Sequence, residues 1–505
     1  MTATAPVRRR GLWPSGVVSF ACGAVSVLGF APPGWFPLPV IAFAVLSWLV
    51  ARAASARAAA ALGFGFGLGL FVFGVGWVYV ALNQFGGMPF WLAGPATLLF
   101  AAFLSLYPAI ACTVAYLASA KWRMFVFPAA WVLTEWLRGW IFTGFPWLAL
   151  GYSQVPISPL GGIAPLAGVF GVSLGVTLVG SAIASLALDQ QRWRAGFVAV
   201  VALAIGTIAG MTSWTRPVGE SVTVALVQGN VAQDLKFRED ALLRTLVAYE
   251  NAVSQAQARL VILPETALPL FLHDLPPDYF ERLRSVTAER GADTIAGVFE
   301  NDPLGSDRYF NAVVSLGASP SQRYRKHHLV PFGEFIPLKA LLAPIINDWL
   351  HIPLSDQTRG DAVQTPLSVA GQKVAMNICY EDVFGEEIIR QLPDATILAN
   401  VSNDAWYGRS WAAEQHLQIS QMRARETGRW MLRATNTGMT AAIDETGRVL
   451  ASLPQFTEGI LTIKAQGRTG STPYVELGNG PVMVLSGLVV AIGLALRRRS
   501  DMASR

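Results

Sequence analysis

Three residues in the polar half of the chain have the types that acyl transfer needs: a thiol, a carboxylate and an ammonium. Cys379 closes the apolar run 373–381 (KVAMNICYE) and is the only cysteine between residues 212 and 479. Glu265 ends LVILPE, and Lys326 stands in RYRKHHLVPFGE, past the apolar run NAVVSLG. A thiol attacks a carbonyl only as the thiolate, so Cys379 needs a base or a cation beside it. Glu265 is the candidate base; in an apolar pocket its proton affinity would rise toward working pH. Lys326 is the candidate oxyanion stabiliser, its charge adding to a backbone N–H next to the cysteine. Glu334, in VPFGE, is placed to hold the lysine or an incoming amine. Glu381 is the weaker carboxylate, because strand alternation would turn it away from Cys379. Each residue also has a plainer explanation: a lone Cys at a strand end is more often core, and a single Glu or Lys is usually a solvated surface group.

The elements that must position these residues alternate between strand and helix. Residues 212–479 are enough for one full core. VTVALVQG, LVILPE, DTIAGVF and NAVVSLG read as strands, with helices over 239–258 and 278–290. PLSVAGQKVAMNIC reads as a hairpin around Gly371-Gln372. TILANVSN, MLRATNT, MTAAID, RVLASL and GILTI complete the strands, with helices over 384–392 and 412–428. Alternating α and β with hairpins predicts a layered α/β fold with helices outside the sheets, and chemistry at the strand ends. One stretch breaks the pattern. LKALLAPIINDWLHIPL, residues 338–354, is strongly apolar beside the candidate site, and its Trp349 suits an arm lying in a membrane interface.

The flanks are different in kind. A chain that is 53% hydrophobic and 14% charged, with mean hydropathy +0.42, is too apolar for a soluble enzyme of this size. Eight apolar stretches are candidate spans: 11–31, 36–51, 58–82, 90–118, 123–142, 163–188, 195–211 and 480–496. Arginines and lysines sit at alternate ends: Arg8 to Arg10, Arg52 and Arg57, Lys121 and Arg123, Arg192 and Arg194, Arg497 to Arg499. The intervening loops PPGWFP and NQFGGMP are uncharged, so both termini are expected in the cytoplasm and 212–479 outside it. The basic start also fits a cleaved signal peptide, but removing it would break the alternation, so an uncleaved span is expected. Three domains follow: a membrane domain with seven spans over residues 1–211, an extracytoplasmic domain over 212–479, and the last span with its tail over 480–505. In GFGFGLGL the pairs Gly63/Gly67 and Gly65/Gly69 predict close helix packing. Glu135 and Arg138 share one face of the fifth span, where ionisable residues mark either a site or an ion pair that fixes helix depth. Cys22 and Cys112 lie in apolar runs, where cysteine is inert. The net charge of +5 is explained by topology and calls for no nucleic acid. No zinc spacing, GxGxxG or P-loop pattern is present.

The motifs LVILPE, YRKHHLVPFGE, NICYED, LANVSNDAWYG, EQHLQISQMRARETGR and RATNTG make residues 212–479 resemble a nitrilase-superfamily domain, the carbon–nitrogen hydrolase fold with a Glu-Lys-Cys triad. With TEWLRGWIFTGFPWLALGYSQ in the membrane domain, the chain is similar to the apolipoprotein N-acyltransferase family from about 11 to 496. The resemblance implies an eight-span bundle plus an α-β-β-α sandwich, with Glu265, Lys326 and Cys379 as the triad. It implies supporting roles for Glu334, Tyr380 and Glu381, and a membrane-side motif carrying Gly144 and Trp147. Where the family tends to place a tryptophan, LKF offers Phe237, an aromatic wall without an indole N–H. The implied reaction is a ping-pong transfer without metal or organic cofactor. The donor is a phospholipid, expected to be phosphatidylethanolamine, and the acceptor is the α-amino group of a diacylglyceryl-cysteine apolipoprotein. The setting is the bilayer of a bacterial inner membrane. Phe237, Trp147, Gly144, Glu135, Arg138 and Trp349 are the candidates for substrate contact. A membrane-anchored amidase shares the triad but has no use for eight spans. A transporter or receptor with a binding domain would need more ionisable residues in its spans.

Overall fold

The computed structural model describes residues 12–188, 192–233, 236, 238–306, 308–336 and 356–503. The N-terminal region is helical: α1 (Leu12–Ser26), α2 (Pro37–Ala51), α3 (Ala56–Gly74), α4 (Phe90–Leu117), α5 (Arg123–Arg138), α6 (Ala164–Ala187) and α7 (Arg192–Met211). With the C-terminal helix, each of the eight candidate spans holds a helix among the described residues. Among the described residues five helices are long and apolar enough to cross a membrane, over Ala56–Gly74, Phe90–Leu117, Pro159–Ala187, Arg192–Met211 and Gly480–Arg498, rather than the eight expected. Length makes the difference for α1 and α2, and α5 has only 16 residues. Fifteen residues rise only about 22 Å, against a hydrocarbon core of about 30 Å. The third stretch is also shorter than expected, ending at Gly74 instead of running to residue 82. The Gly74 carbonyl there accepts a hydrogen bond from Gln415 Nε2 at 3.1 Å.

Two glycine pairs set how α3 packs. A Cβ on Gly63 would lie 2.4 Å from Pro108 O, and one on Gly67 would lie 2.8 Å from Ser105 Cα, both on α4. The other pair faces α1, where a Cβ on Gly69 would lie 2.1 Å from Phe20 O, while Gly65 has more room. The spacing read from the sequence therefore gives two close helix contacts on two faces.

Residues between α7 and the C-terminal helix build two six-stranded sheets. The strands of the first are β1 (Val222–Gln228), β2 (Leu260–Ile262), β3 (Asp293–Asn301), β4 (Tyr309–Gly317) and β5 (Arg323–Arg325). Those of the second are β6 (Leu367–Val369), β7 (Gln372–Ile378), β8 (Ile397–Ser402), β9 (Met431–Thr435), β10 (Ala441–Ile443) and β11 (Val449–Ser452). β12 (Gly459–Ala465) returns to the first sheet. The orders are β12-β1-β2-β3-β4-β5 and β11-β10-β9-β8-β7-β6. In each sheet the two central pairings, β1-β2-β3 and β9-β8-β7, are parallel, and the outer pairings are antiparallel. The inner faces meet in one dry layer, with Val224, Leu226, Ile262 and Ile295 against Val374, Met376, Ile378 and Val401. Helices α8 (Glu239–Gln255) and α9 (Tyr279–Ala288) cover the outside of the first sheet, and α10 (Ala412–Thr427) that of the second. This is the α-β-β-α sandwich. The last helix is α11 (Gly480–Ala503).

Two details differ from the sequence reading. β5 is a strand that the polar run RYR did not announce; it pairs antiparallel with β4. The hairpin turns on Ala370 and Gly371, both at positive φ, as a tight two-residue turn requires, not on Gly371-Gln372. α10 has a double role. Its Ile419 and Met422 belong to the apolar core of the helical bundle, together with Tyr380 and Val383. At Ala167–Gly168 the path of α6 breaks, and Glu426 of α10 accepts from the freed Val169 N–H at 2.6 Å. The sandwich is thereby seated on the bundle by apolar packing and by a buried carboxylate.

The close approach of α3 to α4 predicts that Gly67→Val forces the two backbones apart. An overpacked contact of this kind costs about 1–3 kcal/mol. The variant in detergent should unfold at a lower temperature than the wild type; an unchanged midpoint would contradict the packing described.

Candidate active site

Glu265 lies three residues past β2, on a turn that Gly297 makes possible. A Cβ on Gly297 would come within 2.4 Å of Thr266 N and 2.5 Å of Pro264 O. The carboxylate is buried but not in the apolar pocket that the sequence suggested. Asn311 Nδ2 donates to Oε1 at 2.8 Å, and the Asn403 backbone N–H donates to Oε2 at 2.8 Å. The oxygens are fixed by neighbours on β4 and at the end of β8, so both sheets aim this side chain.

Lys326 follows β5, and its backbone pairs with Asn311 O and Gly360 N. Its side chain is 1% exposed and its Nζ stands between two carboxylates, 2.6 Å from Glu334 Oε1 and 3.5 Å from Glu265 Oε1. Burial alone would strip the charge. Glu334 and then Glu265 outweigh it and hold Lys326 protonated, well above an ordinary lysine. Glu334 is itself oriented by the Val330 N–H, 2.8 Å from Oε2. Of the two tasks open to Glu334, the structure brings it to the lysine.

Cys379 sits at the point where β7 ends. Its φ of 53° is left-handed, and residues Cys379–Val383 form a tight 3₁₀ turn. A non-glycine residue there costs about 1–2 kcal/mol, and such strain collects at functional sites. The surroundings hold the turn. Asn400 Nδ2 donates to Cys379 O at 3.1 Å, and His416 Nε2 lies 3.3 Å from the same oxygen. Glu381 points away from the thiol, for a different reason than expected. Strand alternation does not apply past the turn, so its carboxylate folds back and accepts from Ile378 N at 2.7 Å, His327 N at 2.7 Å and Tyr324 OH at 3.0 Å. Burial pushes Glu381 up to about 7 against those donors. It ties the cysteine turn to the lysine segment. The Cys379 thiol is pushed well above its usual range, first by burial and then by Glu265, with Lys326 pulling the other way. The resting cysteine is therefore a thiol, and chemistry at sulfur needs a base.

The membrane-side residues reach this turn from below. Tyr380 OH donates to Gly144 O at 3.0 Å, and Trp147 Nε1 donates to Gln415 Oε1 at 2.7 Å. Glu135 Oε1 accepts from Leu150 N at 2.9 Å and Trp131 Nε1 at 2.8 Å, while Arg138 Nη1 donates to Phe145 O at 2.7 Å and to Trp147 O. Glu135 and Arg138 thus hold the loop that carries Gly144 and Trp147. Phe237 and Trp349, with the apolar stretch 338–354, lie outside the described residues.

Sequence reasoning missed the support beneath the cysteine. Fully buried His416 faces Asp404 Oδ1 at 3.0 Å and Asp382 Oδ1 at 2.8 Å; Arg433 reaches Asp382 Oδ2 at 2.9 Å and Asp404 Oδ2 at 3.4 Å. Burial opposes a charge on His416, but the two aspartates hold it up to about 9, so it donates from both nitrogens. Two anions and two cations close a neutral set under the turn. The available signal was the density of polar residues in SNDAWYG and EQHLQIS, between strands too apolar to lie at a surface. Lys236, in LKF, was also missed; it is buried against the Glu265 backbone.

Comparison with known proteins follows the same division. Residues 22–182 match the family described as apolipoprotein N-acyltransferase N-terminal domain, and residues 223–474 match carbon-nitrogen hydrolase. A protein of Nitrosomonas europaea named apolipoprotein N-acyltransferase is 49% identical over 94% of this chain and 96% of its own. The chain belongs to the apolipoprotein N-acyltransferase family. Relatives with the same name include one from Chromobacterium violaceum, 46% identical over 99% of this chain and 97% of its own, and one from Ralstonia nicotianae, 44% identical over 95% and 93%. The family's two domains meet in this structure at the cysteine turn.

The buried cation between two carboxylates sets a stability prediction. Lys326→Met leaves Glu265 and Glu334 without their counter-ion and should cost about 3–5 kcal/mol in denaturant unfolding. Glu334→Gln added to it should recover some of that loss. Equal stability of the wild type and Lys326→Met would show that the lysine is not bound as described.

Proposed function

We propose that the chain transfers an acyl chain from a phospholipid, through a thioester on Cys379, to the α-amino group of the diacylglyceryl-cysteine that begins an apolipoprotein. The observation that carries this reading is the union of Glu265, Lys326 and Cys379 in one buried cluster, in a chain of this family. Glu265 takes the thiol proton as Cys379 attacks the ester carbonyl, and returns it to the leaving lysophospholipid. In the second half the acceptor amine attacks the thioester, and Glu265 takes its proton and passes it to the departing sulfur. Lys326 stabilises the oxyanion in both halves, with Glu334 keeping it charged and placed. Tyr380 and Glu381 keep the cysteine turn in register with the membrane loop and the lysine segment. A thioester survives between the halves if water is kept away, which a lipid-facing site favours.

The finer features belong to the same reading. Phosphatidylethanolamine is the proposed donor. Residues 1–211 and 480–505 form an eight-span bundle in the inner membrane, with the shorter helices spanning beside longer neighbours. Residues 212–479 are the catalytic domain on the extracytoplasmic side, by the charge alternation of the loops. Phe237 and Trp349 are proposed lipid contacts, and Gly144 and Trp147 the membrane-side floor of the site. The amidase alternative is disfavoured, since the named relatives match the membrane domain as well as the hydrolase domain.

Two measurements test this. Without acceptor, the protein should release about one lysophospholipid per chain and stall, leaving an acyl group that hydroxylamine removes; Cys379→Ala should release none. A diacylglyceryl-cysteine peptide should restart turnover, and the same peptide with a blocked amine should not. Steady release with water as acceptor would make the protein a hydrolase. Reporter fusions at Gly219 and at the C-terminus should report opposite sides of the membrane, and a cytoplasmic signal at Gly219 would reverse the topology.

A further inference from the structure

His328 joins the helical bundle to the sandwich beside the site, and the reading above gives it no task. It stands two residues past Lys326. Its Nε2 lies 2.9 Å from Thr143 O, on the membrane loop 140–147. Its Nδ1 lies 3.1 Å from Glu387 Oε1, on the short helix Gly385–Ile388 of the sandwich. A carbonyl only accepts, so the bond to Thr143 needs a hydrogen on Nε2. The rest of the residue is fixed from the sandwich side. The ring stacks on Phe384 with 3.6 Å between centroids, and the His328 backbone N–H donates to Glu381 Oε1 at 3.1 Å.

The loop that His328 reaches needs holding. Phe142, Thr143 and Gly144 follow one another at φ of 54°, 73° and 90°, and the first two carry a Cβ that this region disfavours. Trp140, Ile141 and Phe142 are exposed, so packing does little to keep the loop in place. Two successive loop carbonyls are instead taken by side chains of the sandwich. Thr143 O is taken by His328, and Gly144 O by Tyr380, the residue after Cys379. Phe384 lies against both rings, its centroid 5.3 Å from that of Tyr380. Resting on the acyltransferase reading, we infer that His328 is a positioning residue: anchored by Glu387, it grips Thr143 O and so holds the membrane loop on the cysteine turn. Without that grip the left-handed residues relax, Gly144 O draws away from Tyr380, and the turn that carries the thiol loses its floor. Lys326 keeps its place, because its backbone is tied separately to Asn311 O and to the Gly360 N–H.

The test uses the full-length protein in detergent and two conservative variants that separate the two ring contacts. In His328→Gln the amide nitrogen reaches about as far as Nε2 and still donates to Thr143 O. In His328→Asn the shorter amide reaches only as far as Nδ1, which keeps the contact with Glu387 and loses the one with Thr143. The readouts are the rate of the lysophospholipid burst and the hydrogen exchange of backbone amides in 140–147. His328→Asn should acylate more slowly than wild type by on the order of tenfold, the effect of losing one strong hydrogen bond. Its loop amides should exchange faster. His328→Gln should stay close to wild type in both readouts. If the asparagine variant does not fold, His328→Phe, which keeps the stack on Phe384, takes its place with the same expectation. A glutamine variant as slow as the asparagine variant, or slower, would reduce His328 to a partner of Glu387 and overturn the assignment. Unchanged loop exchange in His328→Asn would overturn it too. Absence of a burst in the wild type would instead defeat the acyltransferase reading, and the exchange comparison would still decide whether His328 holds the loop.

Discussion

A single buried ammonium between two carboxylates organises the site. Lys326 lies 2.6 Å from Glu334 and 3.5 Å from Glu265, with almost no exposure to water. At short range in a poorly polarisable interior, opposite charges hold one another far more strongly than at a surface. Removing the ammonium leaves two buried carboxylates without a counter-ion. This constraint fixes the relative placement of the turn after β2, the segment after β5 and the 330–336 segment. It also sets the state of Cys379. Two carboxylates against one cation leave the neighbourhood of the thiol negative, and burial adds to that, so the sulfur rests protonated.

The cysteine turn is the second demand on the fold. Left-handed φ at Cys379 is held by hydrogen bonds to its carbonyl from Asn400 and from charged His416. Behind them Asp382, Asp404, His416 and Arg433 form a neutral set with no exposure to water. Such a set is tolerable in an interior because each charge faces an opposite one. It also explains why α10 carries so many polar residues on a largely buried helix. One side of α10 completes the charge set, and another packs Ile419 and Met422 into the bundle.

The membrane domain is therefore structural to the site as well as an anchor. The loop held by Glu135 and Arg138 supplies Gly144 O to Tyr380, next to Cys379, and Trp147 to Gln415, next to His416. A displacement of the helical bundle would be felt at the cysteine through two hydrogen bonds. The helical bundle and the sandwich are thus packed into one unit at the cysteine turn.

The sequence by itself determined what depends on local pattern and on residue type. Periodicity gave the strands of both sheets and the helices between them, and apolar runs gave the helices of the bundle. Small-residue spacing gave the packing of α3. Glu265, Lys326 and Cys379 were legible because each follows an apolar run, and the family motifs named the same three. What sequence could not supply is what residues distant in the chain do to one another. The partners of Glu381 could not be read from the sequence, because its direction depends on a left-handed φ two residues earlier. The apolar pocket expected around Glu265 proved polar, because Asn311 and Asn403 reach it from separate strands. The helices of the first, third and fifth candidate spans end before the apolar runs do, since hydropathy marks where a helix is apolar but not where it ends. His416, Arg433 and Lys236 look like ordinary solvated groups in the sequence. Only the closing of two sheets onto the bundle buries them, and burial makes their partners and their proton affinities matter.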